Sequence, residues 1–169
     1  MEWLDDNLEE IKKKNRHMYD CLAGILKDDN KTDRILNKFS IIQTRNGENT
    51  VEYFDGEKKI RLNSVYNPER EAIKWTESFQ NISKYTSVVM FGLGNGIFYK
   101  TLTKQISLQT YIFLYEPDVE MFLFCLLNFD MTDILSDDRV FFYVDGINSD
   151  IFLEDMSEKI NWAMMSTQL

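Results

Sequence analysis

The sequence predicts an α/β fold in which an N-terminal helix and a small antiparallel β-meander precede a Rossmann-like, methyltransferase-like half-sheet of parallel strands. Three observations predict it: a buried strand at residues 87–91 runs into a glycine turn, a second strand at 110–116 ends on a carboxylate, and a third follows at 139–144. Strands that alternate with helices at this spacing imply right-handed crossovers and a parallel sheet. We assign the helix and meander to a first subdomain, residues 1–67, and the Rossmann-like part to a second, residues 68–169.

Composition restricts the class of protein and its partners. The chain has 169 residues, of which 44% are hydrophobic, so it encodes a folded globular protein. Its formal charge of −9 leaves no obvious basic face for a phosphate backbone, which argues against nucleic acid and anionic membranes as partners. The longest apolar run, residues 121–127, is far short of the ~18 residues that cross a bilayer.

The N-terminus and the cysteines indicate a cytoplasmic protein. The first residues are acidic and polar, unlike a secretory signal peptide. Cys21 and Cys125 are too few and too scattered for a disulfide framework or a zinc site, so we expect reduced thiols in the core. His17 is the only histidine, and the sequence therefore predicts no metal site.

The first half of the chain is predicted to form one long helix and then a meander. Apolar residues recur at helical spacing through residues 2–27. Between residues 35 and 62 the pattern changes to three short strands separated by two X-Gly pairs, which predict type I′ hairpin turns with positive φ at both central residues. The two pairs are Asn46-Gly47 and Asp55-Gly56.

Helices fill the spaces between the later strands. Pro68 opens a helix that extends to about residue 83, because proline is favoured at the first helical position. Further helices are predicted at 97–106, 118–129 and 149–162. The helix at 118–129 is apolar nearly all the way round, so we expect chain outside these 169 residues, or an interface, to cover it. The residues expected to be buried on the helix from Pro68 are Ala72, Ile73, Trp75 and Phe79.

The candidate site is the glycine turn Gly92-Leu93-Gly94-Asn95-Gly96, whose G-x-G-x-G spacing is similar to the first motif of S-adenosylmethionine-dependent methyltransferases. Glycines have no Cβ to block a ligand, and the first free N–H groups of the helix at Ile97 face any anion placed there. The predicted cofactor-binding residues are Gly92, Gly94, Asn95, Gly96, Glu116 and Asp145.

The two acids in this set follow neighbouring strands. Glu116 is placed to accept both hydroxyls of a ribose, and Asp145 to contact an adenine or a cytosine. Structural interpretations remain open for each: the glycines permit a tight turn, Glu116 precedes Pro117 and helps to start a helix, and Asp145 shapes a turn. No catalytic residue is predicted.

The sequence differs from the methyltransferase pattern in two ways, which weakens the interpretation that it transfers a methyl group. Methyltransferases normally carry an acid two residues before the first glycine of this motif, and here that position is Met90. Only three parallel strands are recognisable, whereas that class has a seven-stranded sheet.

Four stretches together resemble a known family. They are residues 62–72 (LNSVYNPEREA), the turn at 91–96 (FGLGNG), residues 116–122 (EPDVEMF) and residues 137–140 (DDRV). Together they resemble the N-terminal region of the motility accessory factor family. The resemblance implies a bacterial flagellin glycosyltransferase that transfers pseudaminic or legionaminic acid, both nonulosonic acids, from its CMP-activated form to Ser or Thr of flagellin. It also implies that the transferase domain lies beyond this chain, so no catalytic residue is carried over.

Three hypotheses follow. In the first, the chain is a nucleotide-binding or scaffolding domain of a flagellin-modifying glycosyltransferase, without turnover alone. Its partners would be the rest of the parent chain and, for the full protein, flagellin; its ligand would be a nucleotide or CMP-linked sugar. In the second, it is a divergent methyltransferase-like domain that binds S-adenosylmethionine. In the third, the turn is vestigial and the apolar helix at 118–129 forms an interface between subunits.

Overall fold

The computed structural model describes residues 3–166, and the side chains of residues 3–160. Its six strands form two separate three-stranded sheets, one antiparallel in the order β1-β2-β3 and one parallel in the order β4-β5-β6. This arrangement confirms the predicted α/β fold class. The strands are β1 Phe39–Gln43, β2 Asn49–Phe54, β3 Lys59–Arg61, β4 Ser87–Phe91, β5 Tyr111–Glu116 and β6 Val140–Val144.

Three helices form the N-terminal segment, and others alternate with the strands of the parallel sheet. The predicted helix at 149–162 begins as a short 3₁₀ turn at Ser149–Ile151, and another 3₁₀ turn lies at Ile82–Lys84. The α-helices are α1 Leu4–Lys14, α2 Arg16–Leu26, α3 Asp29–Lys38, α4 Pro68–Glu77, α5 Ile97–Leu102, α6 Val119–Asn128, α7 Thr132–Ser136 and α8 Phe152–Ser166.

The single helix predicted over residues 2–27 is wrong, because the chain breaks at Asn15. Asn15 has an extended backbone (φ −144°, ψ 92°), and its side chain accepts a hydrogen bond from the Met18 N–H. Asparagine is a strong N-cap, so it starts a second helix although the apolar spacing continues across it. Asp28 caps α3 in the same way through the Lys31 N–H.

The meander forms as predicted, but its turns are not type I′. In the first turn only Gly47 has a positive φ, of 88°, and its N–H donates to the Thr44 carbonyl. In the second turn Gly56 has a φ of 100°, and the Asp55 side chain accepts hydrogen bonds from the Glu57 and Lys58 N–H groups. The connections are longer than two residues, so a single left-handed glycine closes each of them.

The helix from Pro68 is shorter than predicted. It ends at Glu77, and Asn81 then adopts a left-handed conformation with a φ of 57°. Ala72 is fully buried, but Ile73 and Phe79 are 37% and 41% exposed, so their predicted burial is wrong. The early end of the helix places Phe79 outside it, where its ring packs edge-on against Trp75.

One main hydrophobic core draws on both halves of the chain. Residues 121–127 of α6 are all buried, and α1 and α3 pack against this helix. The expectation that outside chain or a second subunit covers α6 is therefore wrong. The Asn7 amide fixes this packing, since it donates to the carbonyls of Leu126 and Phe129 and accepts from the Met131 N–H.

The two faces of the parallel sheet carry different partners. Ile112 and Leu114 face the main core, and Phe113 faces a smaller cluster on the opposite side. There Phe152 of α8 packs on Phe113 and Tyr143. Within residues 3–166, no helix is long and apolar enough to cross a membrane.

Candidate functional site

A cleft of about 590 Å³ opens at the carboxyl ends of β4 and β5. One wall comes from the meander, through Tyr53, Leu62 and Asn63. A second comes from the aromatic rings of Trp75 and Phe98, which pack against each other with centroids 5.2 Å apart. Ligands of α/β proteins bind in crevices outside the carboxyl ends of parallel strands, so the cleft lies where a site is expected.

The three glycines of the turn serve two different purposes. All have positive φ: 80° at Gly92, 53° at Gly94 and 79° at Gly96. A Cβ added at Gly94 would lie 2.5 Å from Leu62 Cδ2, and one at Gly96 would lie 2.5 Å from Ile134 Cδ1. A Cβ at Gly92 would meet nothing within 4 Å. Gly94 and Gly96 therefore admit the chain's own side chains, whereas Gly92 leaves space at the cleft.

Glu116 lines the cleft but directs its carboxylate at the glycine turn. It is 3% exposed; Oε2 accepts from the N–H groups of Leu93 (2.8 Å) and Gly94 (3.4 Å), and Oε1 accepts from that of Asp118 (3.1 Å). Burial raises the pKa of this carboxyl above its ordinary value, because the three N–H bonds offset only part of the desolvation. Its predicted role in binding ribose stays a prediction.

Asn95 ties the turn to the meander. Its Nδ2 donates to the Asn49 carbonyl (3.2 Å), and its Oδ1 accepts a long hydrogen bond from the Ile97 N–H (3.5 Å). Asn95 is 6% exposed and lines the cleft, so the turn and the antiparallel sheet meet at this side chain.

Asp145 is joined to Glu116 through its backbone N–H, which donates to the Glu116 carbonyl (2.9 Å), but its side chain bonds elsewhere. It is exposed, and its Oδ1 accepts from the Tyr115 hydroxyl (2.9 Å) and the Ser149 hydroxyl (3.2 Å). Tyr115 packs on Phe152, on the face of the sheet opposite the main core. The structure thus brings Gly92, Gly94, Asn95 and Glu116 together around the cleft; neither Asp145 nor Gly96 lines it.

Two polar residues of the cleft were not predicted. Asn63 is 7% exposed, and its Oδ1 accepts from the buried Thr50 hydroxyl (2.8 Å). Asp118 uses Oδ1 to cap α6, through the Glu120 and Met121 N–H groups, and its Oδ2 lies 3.4 Å from Lys38 Nζ. Both stand in stretches that the sequence analysis used only as family marks, and long-range packing brings those stretches together.

The charged side chains of the cleft are all acidic among the described residues. Among the described residues that line it, Glu116 and Asp118 are acidic and none is Lys or Arg. In the part of the chain with described side chains, no three His, Cys, Asp or Glu residues come together as metal ligands.

Comparison with known proteins identifies a fold. No family model matches the sequence, and no curated protein is significantly similar to it. The fold is similar to a solved structure, that of MAf glycosyltransferase from Magnetospirillum magneticum AMB-1, with a TM-score of 0.57 and 15% sequence identity. The match covers 96% of this chain but only 29% of that chain. It shows that the chain has the fold of this part of a Maf glycosyltransferase, and it supports the resemblance seen in the sequence.

Proposed function

We propose that this chain is the N-terminal domain of a bacterial, motility-associated glycosyltransferase that modifies flagellin with a nonulosonic acid. In this proposal the domain binds a nucleoside-bearing ligand in the cleft or serves as a scaffold, and the rest of the parent chain performs the transfer. The observation that carries the proposal is the fold match to a Maf glycosyltransferase over 96% of the chain.

The contacts between the resembling stretches support this assignment. Leu62, from the first stretch, packs into the space that the missing Cβ of Gly94 leaves in the second. Glu116, from the third, accepts the N–H groups of Leu93 and Gly94. Separate stretches that resemble one family thus form the walls of a single cleft, which gives a physical reason for their occurrence together.

A binding role fits the cleft better than a catalytic one. General acid–base catalysis needs a proton-transfer group with a free position toward the substrate. The Glu116 carboxylate already accepts three backbone N–H groups, and Asp118 caps a helix and contacts Lys38. These contacts hold the glycine turn and the start of α6, and of the two acids only Asp118 keeps an oxygen, Oδ2, with a single long contact.

A ligand panel with a turnover assay tests the proposal. We expect calorimetry of the 169-residue chain to detect a cytidine-bearing ligand, and intact-mass spectrometry to show no gain when the chain is incubated with flagellin and a CMP-activated nonulosonic acid. A mass gain on flagellin would contradict the non-catalytic role. Binding of S-adenosylmethionine alone would favour the methyltransferase-like alternative. The described lining of the cleft has no Lys or Arg, and this also suits that ligand, because its sulfonium is a cation.

A further inference from the structure

We propose that the cleft binds the uncharged nucleoside part of its ligand and excludes phosphate, with Asn63 as the residue that recognises the base. This inference rests on the proposed function and specifies the ligand class of the same cleft. The inference compares the polar groups of the cleft that are free to bind a ligand with those that already bond to the protein itself.

Two of the N–H groups in the glycine turn that could hold a phosphate are occupied. In nucleotide-binding turns, backbone N–H groups after the first strand face the anion. Here the N–H groups of Leu93 and Gly94 donate to Glu116, which is itself part of the protein. The Glu116 carboxylate therefore fills the position that a phosphate oxygen would need.

No positive charge compensates for this occupation. Lys38, which contacts the cleft residue Asp118, is already paired with acids: its Nζ lies 2.7 Å from Glu120 Oε2 and 3.4 Å from Asp118 Oδ2. A phosphate in the cleft would face Glu116 and Asp118, with no Lys or Arg among the described residues of the lining. Burying an unpaired charge is costly, so the cleft discriminates against anions.

Asn63 supplies an unused hydrogen-bond donor. Its Oδ1 accepts from the Thr50 hydroxyl (2.8 Å), and its Nδ2 donates to no described residue. No fully buried side-chain nitrogen or oxygen in the described part of the chain lacks a partner, so Nδ2 keeps some exposure to solvent, and Asn63 is one of the residues that line the cleft. A ring nitrogen or carbonyl of a base is the acceptor that such a donor recognises.

The remaining walls suit a nucleoside. The rings of Tyr53 and Trp75 line the cleft and offer aromatic surface to a planar base. Asp118 Oδ2 has only the 3.4 Å contact with Lys38 and can accept from a sugar hydroxyl. In this assignment Asp118 contacts the sugar, and Glu116 is a positioning residue that holds the turn.

Titration calorimetry of the 169-residue chain with cytidine, CMP, adenosine and AMP tests the inference. We expect at least one nucleoside to bind about tenfold more tightly than its own monophosphate. A monophosphate that binds as tightly as its nucleoside, or more tightly, overturns the exclusion of phosphate but leaves the proposed function intact. Absence of binding by all four overturns the inference and the ligand-binding role, and leaves only the scaffold.

Three variants test Asn63. Asn63→Asp keeps an oxygen for the Thr50 hydroxyl but replaces the Nδ2 donor, so we expect nucleoside binding to weaken about tenfold or more. The added carboxylate is nearly buried and lowers the melting temperature, so binding is measured below the melting transition of each variant. Thr50→Val removes the same buried hydrogen bond without altering the donor, and should leave most of the binding. Asn37→Asp, at an exposed site on α3, is the control for added charge. Equal losses in Asn63→Asp and Thr50→Val, or none in Asn63→Asp, would overturn the assignment of Asn63.

Discussion

Two acidic side chains stabilise turns at opposite edges of the parallel sheet, and they do so by different means. Glu116 ends β5 at the carboxyl edge and accepts only backbone N–H groups, from Leu93, Gly94 and Asp118. Asp137 precedes β6 at the amino edge and accepts from the Arg139 guanidinium at 2.6 Å and 3.0 Å and from the Tyr99 hydroxyl. One acid has no cation, and the other has an arginine.

The difference sets their pKa values in opposite directions. Burial raises the pKa of Glu116 above its ordinary value. Burial opposes ionisation of Asp137 as well, but the hydrogen bonds from Arg139 and Tyr99 outweigh it and lower its pKa from 3.8 to about 2. A buried acid without a counter-charge is typical of a functional site, whereas an acid paired with arginine is typical of a structural salt bridge. The comparison therefore separates the cleft from the framework that supports it.

The largest expected effect comes from the glycine turn that holds Glu116. We expect Gly96→Ala to lower the free energy of unfolding by about 3 kcal/mol, because alanine at a φ of 79° is strained and its Cβ would overlap Ile134. Gly92→Ala has a similar φ of 80° but open space, so it should cost only about 1 kcal/mol. Urea denaturation followed by circular dichroism measures both; equal costs would show that the Ile134 contact contributes nothing.

Asp137 gives the next largest effect. We expect Asp137→Asn to lower the free energy of unfolding by about 2 kcal/mol at neutral pH, because the Arg139 guanidinium loses its charged partner. The neighbouring Asp138 is fully exposed and lies 3.8 Å from Lys14, so Asp138→Asn is a matched control with an expected change under ~0.5 kcal/mol. A similar loss in both variants would contradict the structural role of the Asp137–Arg139 pair.

The sign of the pH dependence follows from the lowered pKa of Asp137. Its contribution to stability is complete above the ordinary value of 3.8 and is lost as the pH falls through about 2. The difference in unfolding free energy between the wild type and Asp137→Asn should therefore shrink as the pH falls from about 4 to about 2. A constant difference over this range would show that the pair does not depend on ionisation.

The sequence was sufficient to predict the strands of the parallel sheet but not to predict which residues line the cleft. Strands β4, β5 and β6 were predicted within one residue at each end, because apolar runs with sharp ends leave few alternatives. The predicted burial of β4 is wrong, since Val89 and Phe91 are exposed. The meander pairs as its alternating pattern indicated. The break at Asn15 was missed because a capping side chain overrides a continuous apolar period, which shows only in the local hydrogen bonds.

The candidate site depended on contacts between distant residues. Glycine spacing located the turn, but the sequence does not show that Leu62 and Ile134 occupy two of the three spaces. Nor does it show that Asn63 faces the same cleft as Glu116, which lies 53 positions further along the chain by their numbers. Asp145 was grouped with Glu116 because both stand at the carboxyl ends of strands, yet its side chain bonds to Tyr115 and does not line the cleft.

The smallest effect is expected at Glu116 itself. In Glu116→Gln the amide oxygen still accepts from the Leu93 and Gly94 N–H groups, and a buried charge is removed. The amide hydrogens, however, face the Asp118 N–H, which loses its acceptor. Because these effects oppose each other, the free energy of unfolding at neutral pH should change by under ~1 kcal/mol. Because the pKa of Glu116 is raised, the wild type should lose stability as the pH rises from 4.5 through that raised value, and Glu116→Gln should not. Urea denaturation from about pH 4 to pH 8, with the exposed Glu154→Gln as control, measures this slope. A wild-type curve parallel to that of Glu116→Gln would mean that this carboxyl ionises as easily in the cleft as in water, and the contrast with Asp137 would then disappear.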